Sequence, residues 1–266
     1  MSHHIVEATD LEYAYPDGTP ALCGVSFRIV HGESVGIVGA NGAGKTTLLL
    51  HLNGCLFPRR GTVRVGEFPI TRATLAQIRR SVGTIFQDPN DQLFMPTVGE
   101  DVAFGPLNLG LPPDEVERRV QRALDSVNAA HLRPRPPYKL SGGEKRLAAI
   151  ATVLAMSPDV LVMDEPTSNL DPQSRRRVIE LLRQFTHTKI IASHDLDMIM
   201  DLCSRSIILH QGRVLADGPT AALLGDRTLL ARSGLDLPLR LQGCPVCGQG
   251  GGAPPRASPW ESPPAR

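Results

Sequence analysis

An apolar run at 35–38 opens into Gly39-Ala40-Asn41-Gly42-Ala43-Gly44-Lys45-Thr46-Thr47. The order G-x-x-x-x-G-K-[ST], between a strand-like and a helix-like stretch, is that of a phosphate-binding loop. Glycines at 39, 42 and 44 let the backbone curl until its N–H groups converge on one point. A helix starting near Lys45 aims its positive dipole end at the same place. Lys45 supplies a point charge for the β- and γ-phosphates, and Thr46 a hydroxyl for Mg²⁺. A second apolar run, 160–163, delivers Asp164 and Glu165 at its carboxyl end, the end where open α/β sheets bind ligands. Asp164 suits a Mg²⁺ ligand, and Glu165 a base for an attacking water. Alone, the pair reads as an ordinary strand-ending turn; beside a phosphate loop it completes a nucleotide hydrolase. Gln87 and His194 follow strand-like runs in the same way, at Phe86-Gln87-Asp88-Pro89 and Ser193-His194-Asp195. A glutamine there reaches a metal or a water, and a histidine a γ-phosphate. The competing readings are a polar loop residue and a helix-start residue near an Asp cap.

These groups need a scaffold. Strand-like runs at 22–29, 34–38, 62–65, 82–86, 160–163 and 189–192 alternate with helical patterns at 45–52, 114–129, 143–155, 173–186 and 196–202. Residues 206–210 and 213–216 read as a hairpin around Gln211-Gly212. The alternation predicts a parallel sheet covered on both faces. No repeat of 20–50 residues is visible. Residues 243–266 hold five Gly and six Pro in 24 positions. Such a stretch has little to bury and reads as a flexible tail, with the globular part ending near Leu241.

Composition narrows the classes. With 266 residues, 41% hydrophobic and 21% charged, the chain buries a full core and is not largely disordered. A net charge of +1 implies no polyanion partner, and 4% aromatics argue against a stacking platform for single strands. The longest uncharged apolar stretches, 46–58 and 147–158, fall short of the roughly 18 residues a membrane span needs. The start, Met1-Ser-His-His-Ile-Val-Glu, lacks the pattern of a secretory signal. A cytosolic chain with reduced thiols is expected, its membrane role, if any, supplied by a partner.

Leu140-Ser141-Gly142-Gly143-Glu144 precedes the two acids by about one helix. A serine at a helix start, followed by two residues without side chains, is an anion site. With this segment beside a separate phosphate loop, the chain resembles the ATPase subunits of ATP-binding cassette (ABC) transporters. The likeness spans residues 5–240, with the motifs in family order: 39–46, Gln87, 140–144, Asp164-Glu165, Ser168-Asn169-Leu170-Asp171 and His194. It implies an α/β fold, a P-loop NTPase core of ABC type with an antiparallel β subdomain and an inserted α-helical subdomain at about 88–158. The nucleotide-binding domain is expected at 1–241 and the tail at 242–266. The resemblance also implies ATP and Mg²⁺ as cofactors and hydrolysis of ATP to ADP and phosphate, coupled to transport. ATP would lie on Gly39, Ala40, Asn41, Gly42, Ala43, Gly44, Lys45, Thr46 and Thr47. Tyr15, or alternatively Tyr13, looks like the aromatic that stacks on adenine. Mg²⁺ would be held by Thr46, Gln87 and Asp164. Glu165 resembles the catalytic base, His194 the γ-phosphate switch, and Gln87 a contact that also reports to a membrane partner. Ser141, Gly142, Gly143 and Glu144 would face the ATP of a second protomer, with Asp171 across the seam, so a monomer would hydrolyse poorly. Ala40 and Asn169 depart from common family residues without removing a catalytic group.

Phe86-Gln87-Asp88-Pro89-Asn90-Asp91-Gln92-Leu93-Phe94 is similar to a segment of energy-coupling-factor ATPases, which serve importers of trace metals and vitamins. Tyr15-Pro-Asp-Gly-Thr-Pro-Ala-Leu, Leu50-His-Leu-Asn-Gly and Val98-Gly-Glu-Asp-Val-Ala-Phe-Gly-Pro agree, and Ser233-Gly-Leu-Asp-Leu-Pro looks like the cobalt- and nickel-importing branch. The resemblance implies a second ATPase subunit (identical or a paralogue), a membrane-spanning coupling subunit and a substrate-binding membrane subunit. It implies no nucleic acid, and a peripheral location on the cytoplasmic face of the membrane. A vitamin importer or a module shared by several substrates is the alternative. A soluble clamp on nucleic acid or ribosomes is more remote, because the chain has one phosphate loop, one signature and no heptad run. Segment 86–94 is either a groove for a helix of a membrane subunit or a polar loop with two buried phenylalanines. Cys244 and Cys247 read as an incidental pair, Cys23, Cys55 and Cys203 as small hydrophobes, and Arg175–Arg177 as a solvated helix face. His3-His4 carries no metal site by itself.

Overall fold

The central strands carry continuous apolar runs because both of their faces are covered. Val160, Val162, Ile190, Ala192, Ile207 and Leu209 join one core, while Leu161, Met163, Ile191 and Ile208 join the other. Successive side chains of a strand point to opposite faces, so one continuous apolar run serves both layers.

A computed structural model of the chain describes residues 4–242; residues 1–3 and 243–266, with Cys244 and Cys247, lie outside the described residues. The strands are β1 (His4–Ala14), β2 (Pro20–Val30), β3 (Ser34–Val38), β4 (Arg60–Val65), β5 (Phe68–Pro69), β6 (Val82–Ile85), β7 (Val160–Asp164), β8 (Thr188–Ala192), β9 (Arg205–His210) and β10 (Arg213–Pro219). The helices are α1 (Lys45–Leu52), α2 (Leu75–Ser81), α3 (Val98–Asn108), α4 (Pro113–Ser126) and α5 (Gly142–Leu154). They continue with α6 (Pro172–Gln184), α7 (Leu196–Leu202), α8 (Thr220–Gly225) and α9 (Arg227–Arg232).

Two sheets form. The larger has strand order β10-β9-β3-β8-β7-β6, parallel from β9 to β6 with β10 antiparallel at the edge. The smaller is antiparallel, in the order β2-β1-β4-β5. Its apolar face (Val6, Leu11, Val25, Phe27, Ile29, Val63) shares a core with α1 and one face of the larger sheet. The other face of the larger sheet packs with α3 to α7. Between the neighbouring strands β6 and β7 the chain leaves the sheet to make α3, α4 and α5.

Four loops leave the carboxyl ends of adjacent strands. In the spatial order β3-β8-β7-β6 they carry the phosphate loop, Ser193-His194, Asp164-Glu165 and Phe86-Gln87. The register pairs Asp164 with Ala192, which brings residues 165 and 193–194 side by side.

Sequence patterning overlooks β1, α2, α3 and the short helices α8 and α9. The β1 alternation is interrupted at Asp10, where φ is +46° and the pairing with β2 and β4 shifts register. Gly99, Gly105 and Pro106 hide α3 from a propensity reading, although Thr97 caps it by accepting from the Glu100 N–H at 3.3 Å.

The return from α5 into the sheet is tight. A Cβ on Gly83 in β6 would run into Val153 Cγ1 and the Pro158 ring. Val153 is a stiff β-branched residue in α5, and Pro158 has no rotamer to yield. Gly83→Val is expected to destabilise the fold by about 1–3 kcal/mol; a thermal melt of the two proteins checks it, with a clear drop in Tm as the expected result.

Candidate functional site

The phosphate loop wraps around the start of α1. Gly44 has φ of +103°, and a Cβ there would meet the Ala21 carbonyl oxygen at 2.6 Å. Gly42, at φ of +78°, has open space where a Cβ would stand, so the loop presents bare backbone to its concave side. Lys45 is buried at 7% exposure, with Nζ donating to the Gly39 and Ala40 carbonyls at 2.8 and 3.2 Å. Burial holds its ammonium below the usual lysine range, and the carboxylates of Glu165 and Asp164 oppose that shift. Ala43 packs into the core. Asn41, Gly42, Gly44, Lys45, Thr46 and Thr47 line an open groove of about 450 Å³ together with Tyr15, Gln87, Asp164, Glu165 and His194.

The two acids sit at the floor. Asp164 and Glu165 are each 6% exposed. Burial pushes the Asp164 carboxyl above the usual carboxylate range; hydrogen bonding to Thr46 and the charges of Lys45 and Arg146 pull the other way. Asp164 Oδ1 is buried without a hydrogen-bond partner among the described residues. A buried oxygen left bare is costly unless something else contacts it, and a hydroxyl-bearing Thr46 beside it makes the donor set that of a hard cation. Among the described residues no group of three or more His, Cys, Asp or Glu side chains is placed to hold a metal alone. A cation here would take its remaining ligands from amide, water and phosphate oxygens, a shell that suits Mg²⁺.

Glu165 is clamped. Its backbone has φ of +46°, the left-handed region that a non-glycine residue adopts only when its surroundings force it. Its N–H donates to the Ala192 carbonyl at 2.9 Å, and its own carbonyl accepts from the Ser168 N–H at 3.1 Å and hydroxyl at 2.9 Å. The carboxylate accepts from the Ser193 hydroxyl at 2.7 Å, the His194 N–H at 3.0 Å and His194 Nδ1 at 2.7 Å. The His194 side chain is 63% exposed, so with Nδ1 given to Glu165 its Nε2 is free toward the groove.

Tyr15 rather than Tyr13 lines the groove. Its hydroxyl lies 2.8 Å from Thr47 Oγ1, and Tyr13 packs edge-on behind it at a ring separation of 5.3 Å. Gln87 lines this groove and also a second one of about 500 Å³, shared with Gly142, Lys145 and Ser168–Leu170.

Residues 141–144 do not line the first groove. They form the start of α5, with Ser141 and Gly142 exposed, Gly143 buried and Glu144 half-buried, closed by a capping box in which Ser141 accepts from the Glu144 N–H and the Glu144 carboxylate accepts from the Ser141 N–H. Asp171 caps α6. Asn169 has φ of +58°, a conformation asparagine tolerates better than the alanine common in the family.

Three sequence readings are corrected. Arg175 is not a solvated helix residue: it is ion-paired with Asp195 and only 33% exposed. Cys55 is exposed rather than packed in the core. Of the phenylalanines in 86–94, Phe94 is 61% exposed and stacks edge-on against Phe104, so the loop does not bury both.

Sequence reasoning also assigned no role to Arg146. It is 1% exposed, and its guanidinium donates to the Phe86 and Gln87 carbonyls at 2.7 and 2.6 Å, which pins the Gln87 loop to α5. The signal was a lone arginine at the head of the apolar run 147–155.

Comparison with known proteins agrees with this geometry. A family model described as ABC transporter matches residues 22–168. A putative ABC transporter ATP-binding protein of Geobacter sulfurreducens is 67% identical over 249 residues, covering 94% of this chain and 100% of that protein. The energy-coupling factor transporter ATP-binding protein EcfA of Methanothermobacter thermautotrophicus is 47% identical over 239 residues, covering 88% of this chain and 77% of that protein. The solved structure of cbiO1 from Clostridium perfringens, part of the ABC transporter complex cbiONQ, is similar with a TM-score of 0.77 at 38% identity, covering 86% of this chain and 94% of that one.

Two substitutions separate binding from chemistry. Lys45→Ala removes a charge-assisted contact of about 1.5–3 kcal/mol, so labelled ATP is expected to bind roughly 10- to 100-fold more weakly. Glu165→Gln keeps the shape and loses the proton acceptor; binding is expected to persist while turnover falls at least about 100-fold. Equal loss of binding in both variants would refute this division of roles.

Proposed function

Because the chain belongs to the ABC transporter ATP-binding family, we propose that it is the ATPase subunit of an energy-coupling-factor importer whose cargo is a cobalt or nickel ion. The ATPase chemistry rests on one observation: Lys45, Asp164, Glu165, His194 and Gln87 line a single groove at the carboxyl edge of the parallel sheet. In the proposed reaction the loop 39–47 and Lys45 bind the triphosphate, and Tyr15 faces the adenine. Thr46, Asp164 and Gln87 hold Mg²⁺, which neutralises phosphate charge when bound. Glu165 takes the proton of the attacking water, and His194 offers Nε2 to the γ-phosphate.

The position of 141–144 outside this groove supports a second protomer. The Gly142 and Gly143 N–H groups, which the capping box leaves unused, would meet another subunit's nucleotide. ATP then lies between two ATPase subunits, and loss of the γ-phosphate weakens the contact.

No helix among the described residues is long and apolar enough to cross a membrane, so passage of cargo is assigned to membrane subunits. A groove of about 260 Å³, lined by Phe86, Phe94, Phe104, Gln92, Arg79 and Cys55, suits an apolar helix of such a subunit. Gln92 braces it, accepting from the Phe86 N–H at 3.3 Å and donating to the Ala149 carbonyl and Thr152 hydroxyl at 2.8 and 2.7 Å.

The metal cargo is supported by the resemblance of 233–238 to the cobalt- and nickel-importing branch. That segment has a structural duty as well: Gly234, at φ of +71°, ends α9, with Leu235 N–H donating to the Leu230 carbonyl at 2.9 Å.

The test is uptake of radiolabelled cobalt and nickel by cells whose own copy of this gene is replaced by Glu165→Gln or Phe94→Asp. Both variants are expected to abolish uptake of one of the ions. Phe94→Asp should in addition lose its membrane subunits on purification. Normal entry of both ions, with expression confirmed, would refute the metal reading.

A further inference from the structure

The donors that hold Glu165 are themselves held from a distance. Ser193, fully buried at the end of β8, gives its hydroxyl proton to Glu165 Oε2 at 2.7 Å. Ser193 Oγ in turn accepts the Asp195 N–H at 3.0 Å. Asp195 divides its carboxylate: Oδ1 caps α7 by accepting from the Met198 N–H at 3.0 Å, while Oδ2 accepts both Nε and Nη2 of Arg175, at 2.8 and 2.7 Å. Arg175 stands in the first turn of α6. An unbroken chain of hydrogen bonds therefore runs Arg175–Asp195–Ser193–Glu165, across three separate elements.

From this geometry we propose that Arg175 and Asp195 are positioning residues for hydrolysis, acting through Ser193 on the orientation of the Glu165 carboxylate. The inference rests on Glu165 as the base. Glu165 leaves its strand with left-handed backbone, so its carboxylate is aimed by the groups around it rather than by strand geometry. Of its three donors, two come from the exposed residue His194 and one from buried Ser193. A serine hydroxyl rotates among staggered wells; the Asp195 N–H selects the one that points its proton at Glu165. That N–H is fixed in turn by the cap on α7 and by the two-pronged grip of the guanidinium. A lysine, with one compact ammonium, cannot reproduce that grip. Partly exposed ion pairs add little stability, so the contribution expected here is geometric.

The experiment is steady-state ATPase kinetics of the full-length chain with the subunits that copurify. Arg175→Met is expected to lower kcat about tenfold, as small misplacements of catalytic groups do. The KM for ATP and the affinity for labelled ATP should stay within about twofold, since no binding contact is lost. Arg175→Lys should fall between. In a Ser193→Ala background, Arg175→Met should cost nothing further, because its effect passes through the missing hydroxyl. Wild-type kcat in Arg175→Met, a change confined to KM, or an undiminished loss on top of Ser193→Ala would each overturn the proposal. Should the methionine variant fail to fold in a thermal melt, the lysine variant carries the same comparison. Glu165→Gln measured alongside separates the two readings. Turnover surviving there refutes the base itself. A dead Glu165→Gln beside an unaffected Arg175→Met refutes only the positioning.

Discussion

Two carboxylates follow one another at the end of β7, and both are almost completely removed from water. Burying one charge is costly, and burying two of the same sign next to each other more so. Much of the surrounding structure compensates for this. Lys45 is drawn down into its own loop, where it feels the charge of both acids. Glu165 is surrounded by the hydroxyl of Ser193 and two donors of His194. Asp164 keeps one bare oxygen and a pushed-up carboxyl. The same arrangement that burdens the fold makes the groove a place where a cation and a polyphosphate are welcome, because electrostatic interactions strengthen away from water.

The sheet makes this compensation possible. Parallel strands in fixed register deliver residues 165 and 193–194 to the same height, and the β3–β8 pairing sets the phosphate loop one strand away. Strands covered on both faces are hard to shift, since a slip of one residue would exchange the two cores. Rigidity is then passed on to loops. Arg146 ties the Gln87 loop to α5, and Arg175 ties the Asp195 turn to α6. Both arginines use forked donors, one on two carbonyls and one on a carboxylate oxygen.

Gln87 occupies a particular place in this frame. It lines the nucleotide groove and the neighbouring groove beside 168–170. The residue before it, Phe86, lines the apolar groove with Phe94 and Phe104. Three surfaces thus meet at one short loop, held by carbonyl contacts rather than by its side chains. On the proposed docking, a partner seated in the apolar groove would act on a segment that also lines the nucleotide groove, which fits an ATPase coupled to a membrane subunit.

The amino-acid sequence by itself determined much of the chemistry. The phosphate loop, the paired acids, the signature and the residues Gln87 and His194 are local patterns whose spacing needs no folded context, because each sits at a strand–loop junction marked by apolar runs and glycines. The alternation of strands and helices was legible for the same reason. Other features were decided only in three dimensions. Residue order says nothing of which acid oxygen stays bare, that Tyr15 rather than Tyr13 lines the groove, or that Arg175 meets Asp195 twenty positions away. Arg146 and Ser193 look ordinary in a string of letters, since their roles depend on the carbonyls and carboxylates that other strands bring to them. β1 escaped notice because a bulge at Asp10 breaks its alternation, and α3 because its glycines fit close packing rather than helix propensity. Short-range pattern records what a segment can do. Burial and register, which arise from residues far apart in the chain, decide which of those possibilities is used.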